Sequence, residues 1–448
     1  MPKVSEKQAR PDHDSSWKAK IFPLLFGTFL GLSLLKFGNP AILEKFVEPP
    51  ANFYEWLLSA WPIGVGYWLL GGVVLAGLMT GQWRTTAPGW LLVLPLVWLG
   101  WQFISATQSI NSSLTRQTLK YLVACATCFY LGAGCRHGNG RGRSFWVGMM
   151  GAFVVVVAVG LEQHFGGLED TRRYFYTYIY PTLESVPADY LKKISSNRIF
   201  STLFYPNALA GGILLLLPPM LALIWGWRER LTPAARGFAM ALLSLAAMAC
   251  LYWSGSKGGW LLALLMVLAG LLHLNWSMRA KALLVGAVLL FGVAGFVWRY
   301  ADFFQRGATS VVARFDYWRA AGQTVAAKPW FGSGPGTFGT AYEAMKRPES
   351  EMSRLVHNDY LQQASDSGVI GGLTYLGFVV GVLVIGYRRT KSAGDMFPFA
   401  VWLGLLGWCL QGVMEFGLYV PALAWTAFGL AGWLVGVETK AHGQTSDG

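Results

Sequence analysis

Long apolar segments recur along the whole chain, each about as long as a helix that crosses a lipid bilayer. Such a helix needs about 20 apolar residues, with a range of about 17–25. About twelve segments meet this rule, at 21–38, 57–79, 88–105, 118–135, 145–164, 204–227, 236–253, 258–275, 281–299, 368–387, 397–415 and 418–437. Charged residues make up 13% of the chain, about half of what a soluble domain carries. The sequence therefore predicts an all-α, polytopic integral membrane protein with about twelve transmembrane helices.

Lys and Arg residues in the short loops predict the orientation of the chain, because cytoplasmic loops are enriched in both. With the N-terminus inside, every second short loop is basic. The basic residues of these loops are Arg84, Arg136, Arg141, Arg143, Arg228, Arg230, Arg236, Arg279, Lys281, Arg388, Arg389 and Lys391. Residues 1–20, which lack a small-residue cleavage site, and residues 438–448 are then cytoplasmic tails. The formal net charge of +13 fits basic loops beside anionic lipid better than nucleic-acid binding.

Two long loops, at about 165–203 and 300–367, fall on the outer side of this arrangement. Helices one to nine then occupy 21–299, and helices ten to twelve occupy 368–437. Loops of this length are often functional. In the larger loop, Val311, Val312, Phe315, Trp318 and Val325 recur at helical spacing, and Pro329 ends that helix. A second short helix is expected at Phe338 to Met345, and a third from near Ser353, with His357 and Leu361 on one face.

His357 is the candidate general base. Of the six histidines, only His164 and His357 fall on the outer side. His357 is followed by Asn358 and Asp359, which can orient an imidazole and fix its tautomer. The alternative is an interfacial histidine that caps the third loop helix. Glu162, beside His164, is an acid near a helix end to which no role is assigned.

Cations on the outer side form the second candidate set. Arg198 precedes a membrane helix, and Lys257 lies in a tight hairpin at 254–259. Arg314 and Arg319 lie on the first loop helix. Cations around one histidine suggest an anionic, lipid-linked substrate. The alternative for each cation is contact with phospholipid or snorkelling to the membrane surface.

Other patterns carry less weight. The glycine-rich run 329–339 resembles a phosphate loop but lacks its preceding strand and its Lys-Ser/Thr pair, so a helix-to-helix corner or a backbone approach to a ligand is expected. Aromatic residues of the first long loop fit sugar stacking or an aromatic belt: Tyr174, Phe175, Tyr176, Tyr178, Tyr180 and Tyr190. The five cysteines lie in or at the ends of apolar segments, so packing rather than disulfides or metal binding is expected: Cys125, Cys128, Cys135, Cys250 and Cys409.

Several motifs resemble the O-antigen ligase family of bacterial envelope glycan transferases. His357-Asn358, nine residues, Gly368, two residues and Gly371 resemble the signature at the end of its large periplasmic loop. The similarity covers about 195–375, and its further matching residues are Arg198 with Phe204 to Ala210, the hairpin 254–259, Arg314, Trp318, Pro329, Gly332, Gly334, Gly336 and Phe338. The hairpin departs from the family in carrying Lys257 where Arg is usual, which keeps the charge but loses the bidentate fork.

The resemblance implies a GT-C-like helical fold in the bacterial inner membrane and a transfer that needs no metal or cofactor. An undecaprenyl-pyrophosphate-linked glycan would be the donor, and a lipid or protein hydroxyl would be the acceptor. His357 would take the proton of the acceptor, while Arg198, Lys257 and Arg314 would hold the pyrophosphate. Further substrate contacts are expected from Asn207, Ser256, Asn358, Arg319, Trp318 and Gly334.

Three alternatives stay open. A polymerase that joins lipid-linked repeat units, or a protein O-oligosaccharyltransferase, would carry the same motifs. A transporter of lipid-linked glycans would place charges deep in its helices and show repeat symmetry. The sequence instead has its candidate charges in loops and at helix ends, with no internal repeat. A non-catalytic envelope protein with a degenerate site is the third alternative, and Lys257 gives it some weight.

Overall fold

The computed structural model describes residues 13–47, 49–80, 85–135, 143–182, 191, 194–305, 309–393 and 395–436. Within these residues the fold is helical, and no β-strand occurs. The helices are α1 His13–Lys36, α2 Phe53–Leu58, α3 Ile63–Thr80, α4 Gly89–Ala106, α5 Ser112–Gly134, α6 Arg143–Glu162, α7 Leu168–Tyr174, α8 Pro206–Trp225, α9 Pro233–Trp253, α10 Lys257–His273, α11 Met278–Gln305, α12 Thr309–Ala327, α13 Phe338–Met345, α14 Asp359–Ala393, α15 Met396–Gln411 and α16 Pro421–Val435. The predicted all-α fold is confirmed.

Seven helical segments of the described residues are long and apolar enough to cross a membrane. They are Ile63–Thr80, Gly89–Ala106, Ser144–Tyr178, Pro206–Trp225, Pro233–Trp253, Met278–Ala301 and Asp359–Lys391. The helices α10, α15 and α16 are apolar but shorter. The chain is thus a multi-pass membrane protein. Each predicted segment overlaps a helix, while the count of about twelve spans and the orientation stay predictions.

Local sequence signals explain where the helices near the site begin. Pro206 opens α8, where the missing amide hydrogen of proline costs nothing because the first turn has no partner for it. Asn111 caps α5 by accepting a hydrogen bond from the amide of Leu114 at 3.2 Å. Such caps fix the ends of helices that the loops must then connect.

Close helix contacts build the bundle. The helix α1 packs against α6, α16 against α5, α15 against α8 and α14 against α4. A Cβ atom at Gly432 of α16 would lie 1.9 Å from the carbonyl oxygen of Phe129 in α5, so only glycine allows this approach of the two backbones. All five cysteines are buried, as predicted from their apolar surroundings.

The larger loop contains two of its three predicted helices. The helices α12 and α13 are confirmed at the predicted places. The third prediction is wrong, because the helix begins at Asp359 and not near Ser353. His357 precedes this helix. Its φ of +55° is a left-handed backbone conformation, which does not occur within a right-handed α-helix.

The helix α14 continues from the loop through the predicted tenth membrane segment as one element. It bends at Ser367 and Gly368, where Gly368 has φ 72° and ψ −178°, a conformation open almost only to glycine. The predicted boundary between loop and membrane helix at 367 is therefore a kink. Tyr190, residues 1–12 of the N-terminal tail and the C-terminal tail lie outside the described residues.

Candidate active site

The carboxylate of Glu415 is the centre of the candidate site. Glu415 follows the end of α15 and is 8% exposed. Its Oε1 accepts a hydrogen bond from the side-chain amide of Asn207 at 2.7 Å and forms an ion pair with the guanidinium of Arg314. Its Oε2 lies 3.4 Å from Nδ1 of His357. One buried acid thus joins three side chains that the sequence analysis places in the site.

Two aromatic rings hold the imidazole of His357. The ring of Tyr317 stacks on it at a centroid distance of 5.7 Å with 27° between the ring planes, and the ring of Phe416 meets it edge-on at 4.8 Å. Because Nδ1 faces the carboxylate of Glu415, we assign the proton of a neutral imidazole to Nδ1. The Nε2 atom then keeps a lone pair that can accept a proton.

Asn358 and Asp359 do not orient this imidazole, contrary to the expectation from the sequence. Asn358 caps α14, because its Oδ1 accepts a hydrogen bond from the amide of Leu361 at 2.9 Å. The carboxylate of Asp359 is buried and accepts from the amide of Leu418 at 2.9 Å. Both residues fix the start of α14, and Glu415 takes the orienting position.

Arg314 fixes Glu415 to the first loop helix. Its Nε donates to the carbonyl of Met414 at 3.0 Å, in addition to the ion pair with Glu415. Burial acts to raise the pKa of Glu415, but the hydrogen bond from His357 and the charges of Arg314 and Arg198 outweigh it, and the pKa is lowered. Glu415 is therefore an anion in this arrangement.

Arg198 and Asn207 connect the site to the hairpin 254–259. Nε of Arg198 donates to the carbonyl of Ser254 at 2.7 Å, and a terminal nitrogen donates to Oδ1 of Asn207 at 2.8 Å. Burial lowers the pKa of Arg198, against the opposite effect of the Glu415 charge. Asn207 thus bridges a cation and an anion, which fits an amide with both a donor and an acceptor.

Lys257 is the first residue of α10, and the residues that follow it in the helix are mostly apolar. Its Nζ lies 3.8 Å from the ring centroid of Phe303 and 5.3 Å from that of Tyr300. Burial and the charges of Arg198, Arg314 and Arg299 lower the pKa of Lys257 to about 8. Ser256 caps α10, accepting from the amide of Gly259 at 3.2 Å, so its hydroxyl serves the hairpin.

The glycine-rich run 329–339 forms a corner between α12 and α13 that packs on the kink of α14. The amides of Ser333 and Gly334 donate to carbonyls of α14 at 3.0 and 2.8 Å. The carboxylate of Asp366 accepts from the amides of Gly336 and Phe338 at 2.9 and 3.2 Å. These donors already have partners, so the run fits the expected corner and not a phosphate cradle.

Trp318 and Arg319 do not join the Glu415 cluster. Trp318 packs against the small core of the loop, and its ring meets that of Phe315 at 5.6 Å. Arg319 is more than half exposed and pairs with Asp316 at 3.6 Å. The ring of His164 stacks on Trp253 at 3.6 Å. No metal-binding group of histidine, cysteine or acid occurs among the described residues.

The structure therefore brings His357, Arg198, Arg314 and Asn207 together around Glu415. Lys257 is close enough to Arg198 and Arg314 for their charges to lower its pKa. Sequence reasoning missed Glu415. It was counted as the last residue of an apolar segment at 397–415, whereas α15 ends at Gln411. The available signal was an acid at the end of an apolar segment, since charges in such places are mostly paired or functional.

Residues 239–376 match the family model described as O-antigen ligase. No match is found among curated proteins. The matched segment includes Lys257, Arg314 and His357, and it ends before Glu415. This similarity to the O-antigen ligase family over residues 239–376 agrees with the resemblance that the motifs of the sequence indicate.

Proposed function

We propose that the protein is a glycosyltransferase that moves a glycan from undecaprenyl pyrophosphate to an acceptor hydroxyl at the periplasmic face of the bacterial inner membrane. The observation that carries the proposal is the sharing of one buried carboxylate, Glu415, between a histidine and a cation. That arrangement supports a proton acceptor at His357 beside a binding site for a departing anion at Arg314. The family match supports a reaction of the O-antigen ligase or polymerase type.

His357 acts as general base in this reaction. Nε2 takes the proton of the acceptor hydroxyl, whose oxygen attacks the anomeric carbon of the donor sugar. The bond from that carbon to the pyrophosphate oxygen breaks, and undecaprenyl pyrophosphate leaves with the electron pair. The resulting imidazolium is stabilised by Glu415 through Nδ1. General base catalysis of this kind contributes about 10²–10⁴-fold.

The cations serve the leaving group. Arg198, Lys257 and Arg314 are fixed by backbone carbonyls, rings and Glu415, so they need little reorganisation when charge develops on the pyrophosphate. Asn207, Ser256, Asn358, Trp318 and Gly334 position these groups and the loop that carries them. Arg319 is left as a peripheral contact for the glycan or the lipid surface.

The acceptor decides between the related activities. Lipid A-core would make the protein a ligase, a second lipid-linked glycan would make it a polymerase, and a pilin-like protein would make it an O-oligosaccharyltransferase. A transporter is disfavoured because the clustered charges belong to loops and helix ends, and a transport path would need charges within the membrane helices.

A transfer assay with purified protein tests the proposal. The donor is a glycan on undecaprenyl pyrophosphate, and each of the three acceptors is offered separately. We expect a product with one acceptor, its loss in His357→Ala and its retention in His164→Ala, whose ring stacks on Trp253 outside the cluster. Equal transfer by His357→Ala would reject the catalytic assignment, and donor binding without any product would favour a transporter.

A further inference from the structure

A second group of aromatic and cationic side chains lies beside the cluster, at the end of α11. The guanidinium carbon of Arg299 lies 4.9 Å from the ring centroid of Tyr252 and 5.4 Å from that of Tyr300. The ammonium of Lys257 lies 5.3 Å from the same Tyr300 ring. Two cations therefore share one aromatic ring. Arg299 and Tyr300 belong to none of the motifs from which the site was predicted.

The hydroxyl of Tyr300 is buried and lacks a hydrogen-bond partner among the described residues. The residue as a whole is 5% exposed. A buried hydroxyl without a partner is costly, because it gives up its hydrogen bonds to water and gains none in return. Two cations lie within 5.4 Å of the centroid of the same ring. An anionic oxygen acceptor at this hydroxyl would therefore satisfy the hydroxyl and also interact with both cations.

The charges of this group are not neutralised in the way that those of the Glu415 cluster are. Arg314 pairs directly with Glu415, and Arg198 reaches it through Asn207. Among the side chains that the structure describes, no carboxylate forms an ion pair with Lys257 or Arg299. Ring contacts alone offset only part of the repulsion between two such cations.

The helix that carries Arg299 also differs from its neighbours. None of the residues in the apolar window of Met278–Ala301 is buried, and α11 packs chiefly against α10. Its apolar surface is therefore open to lipid along its length, up to the turn that carries Arg299. A lipid with an anionic headgroup and a long apolar chain fits this helix. The headgroup would meet the turn that carries Arg299, and the chain would lie along the apolar surface.

We propose that Lys257, Arg299 and Tyr300 bind the phosphate that is attached to the prenyl chain of a lipid diphosphate, with that chain lying along α11. The inference rests on the proposed function and names a subsite within it. Tyr300 and Arg299 donate hydrogen bonds to the oxygens of this phosphate. Arg314, which shares Glu415 with His357, faces the phosphate next to the sugar, where the bond breaks.

Binding measurements with two lipids separate the subsites. Undecaprenyl phosphate carries only the prenyl-side phosphate, and undecaprenyl pyrophosphate carries both. Dissociation constants are measured for the full-length protein in phosphatidylcholine nanodiscs. We expect Arg299→Gln to weaken binding of both lipids about tenfold, and Tyr300→Phe about fivefold, since each removes hydrogen bonds to a charged group.

Two matched variants sharpen the comparison. Arg314→Gln should weaken only the pyrophosphate, towards the affinity of the monophosphate. Arg173→Gln, which removes an exposed cation that pairs with Asp170 outside both groups, should change neither. Wild-type binding of both lipids by Arg299→Gln, or a loss confined to the pyrophosphate, would overturn the assignment of the prenyl-side phosphate.

Ordinary phospholipid offers the same phosphate chemistry, so a third arm uses nanodiscs that contain phosphatidylglycerol. The proposal expects undecaprenyl phosphate to bind there as tightly as in phosphatidylcholine. Displacement by phosphatidylglycerol at equal concentration would make the group a general headgroup site and reject the subsite. These measurements need neither glycan nor acceptor, so their outcome is separate from that of the transfer assay.

Discussion

The glycine-rich run 329–339 and the cationic cluster both suggest phosphate binding in the sequence, but the structure gives them opposite properties. In the run, the amides that a phosphate would need donate to α14, including the carboxylate of Asp366. Beside the cluster, Lys257 and Arg299 lie on aromatic rings, and no carboxylate among the described side chains forms an ion pair with either. The comparison teaches that donors without protein partners identify an anion site better than a glycine pattern does.

The largest effect should come from Arg314 on the cluster side. Arg314→Gln removes the charge beside the leaving oxygen, and loss of one such group costs about 10²–10³-fold in kcat. The unfolding temperature in detergent should also fall, because Glu415 loses the partner of a buried ion pair, so kcat is measured on the folded protein. An unchanged kcat would show that Arg314 does not act on the reacting phosphate, and the cluster would then lose its assignment as the phosphate site.

Glu415→Gln should reduce kcat about 100-fold, because the imidazolium of His357 loses its counter-charge. The glutamine keeps an oxygen for the amide of Asn207, so folding is expected to survive. The pH profile of kcat is the informative measurement. Wild-type pH dependence with only a small loss of rate would make Glu415 a structural anchor of Arg314.

Asp366→Asn tests the glycine-rich side. The carboxylate accepts from the amides of Gly336 and Phe338, and also from Gln362 and Tyr419. The side-chain NH2 of asparagine would face groups that themselves donate hydrogen bonds. The free energy of unfolding should therefore fall by about 1–3 kcal/mol. The affinity of the folded protein for the lipid-linked glycan should be unchanged. Weaker binding of the lipid-linked glycan at wild-type stability would instead indicate that the run 329–339 binds phosphate.

Lys257→Arg should give the smallest effect, and one that depends on pH. The pKa of Lys257 is lowered to about 8 by burial and the neighbouring cations, so its charge is present below that pH and is lost above it. The wild-type kcat/KM, which reports the free enzyme, should fall as pH rises above about 8, by up to about tenfold per pH unit. The arginine variant should stay flat, and identical profiles would contradict a role for this charge.

The apolar segments and two loop helices could be predicted because they depend on local patterns: length of the apolar run, helical spacing and a terminating proline. His357 is one of only two histidines on the predicted outer side, and the cations were singled out by position: before a membrane helix, in a tight hairpin and on the first loop helix. The partnership with Glu415 could not be read from the sequence, since 58 residues separate it from His357. The left-handed conformation of His357 was also hidden, because no glycine or asparagine marks it.

The backbone of His357 has a consequence for how this position tolerates change. A non-glycine residue at φ +55° is strained by about 1–2 kcal/mol relative to glycine. His357→Gly should therefore unfold at a higher temperature than His357→Ala, although both lack the imidazole. The proposed proton acceptor thus lies at a position whose backbone conformation favours glycine, so stability is reduced locally at a residue proposed to serve activity.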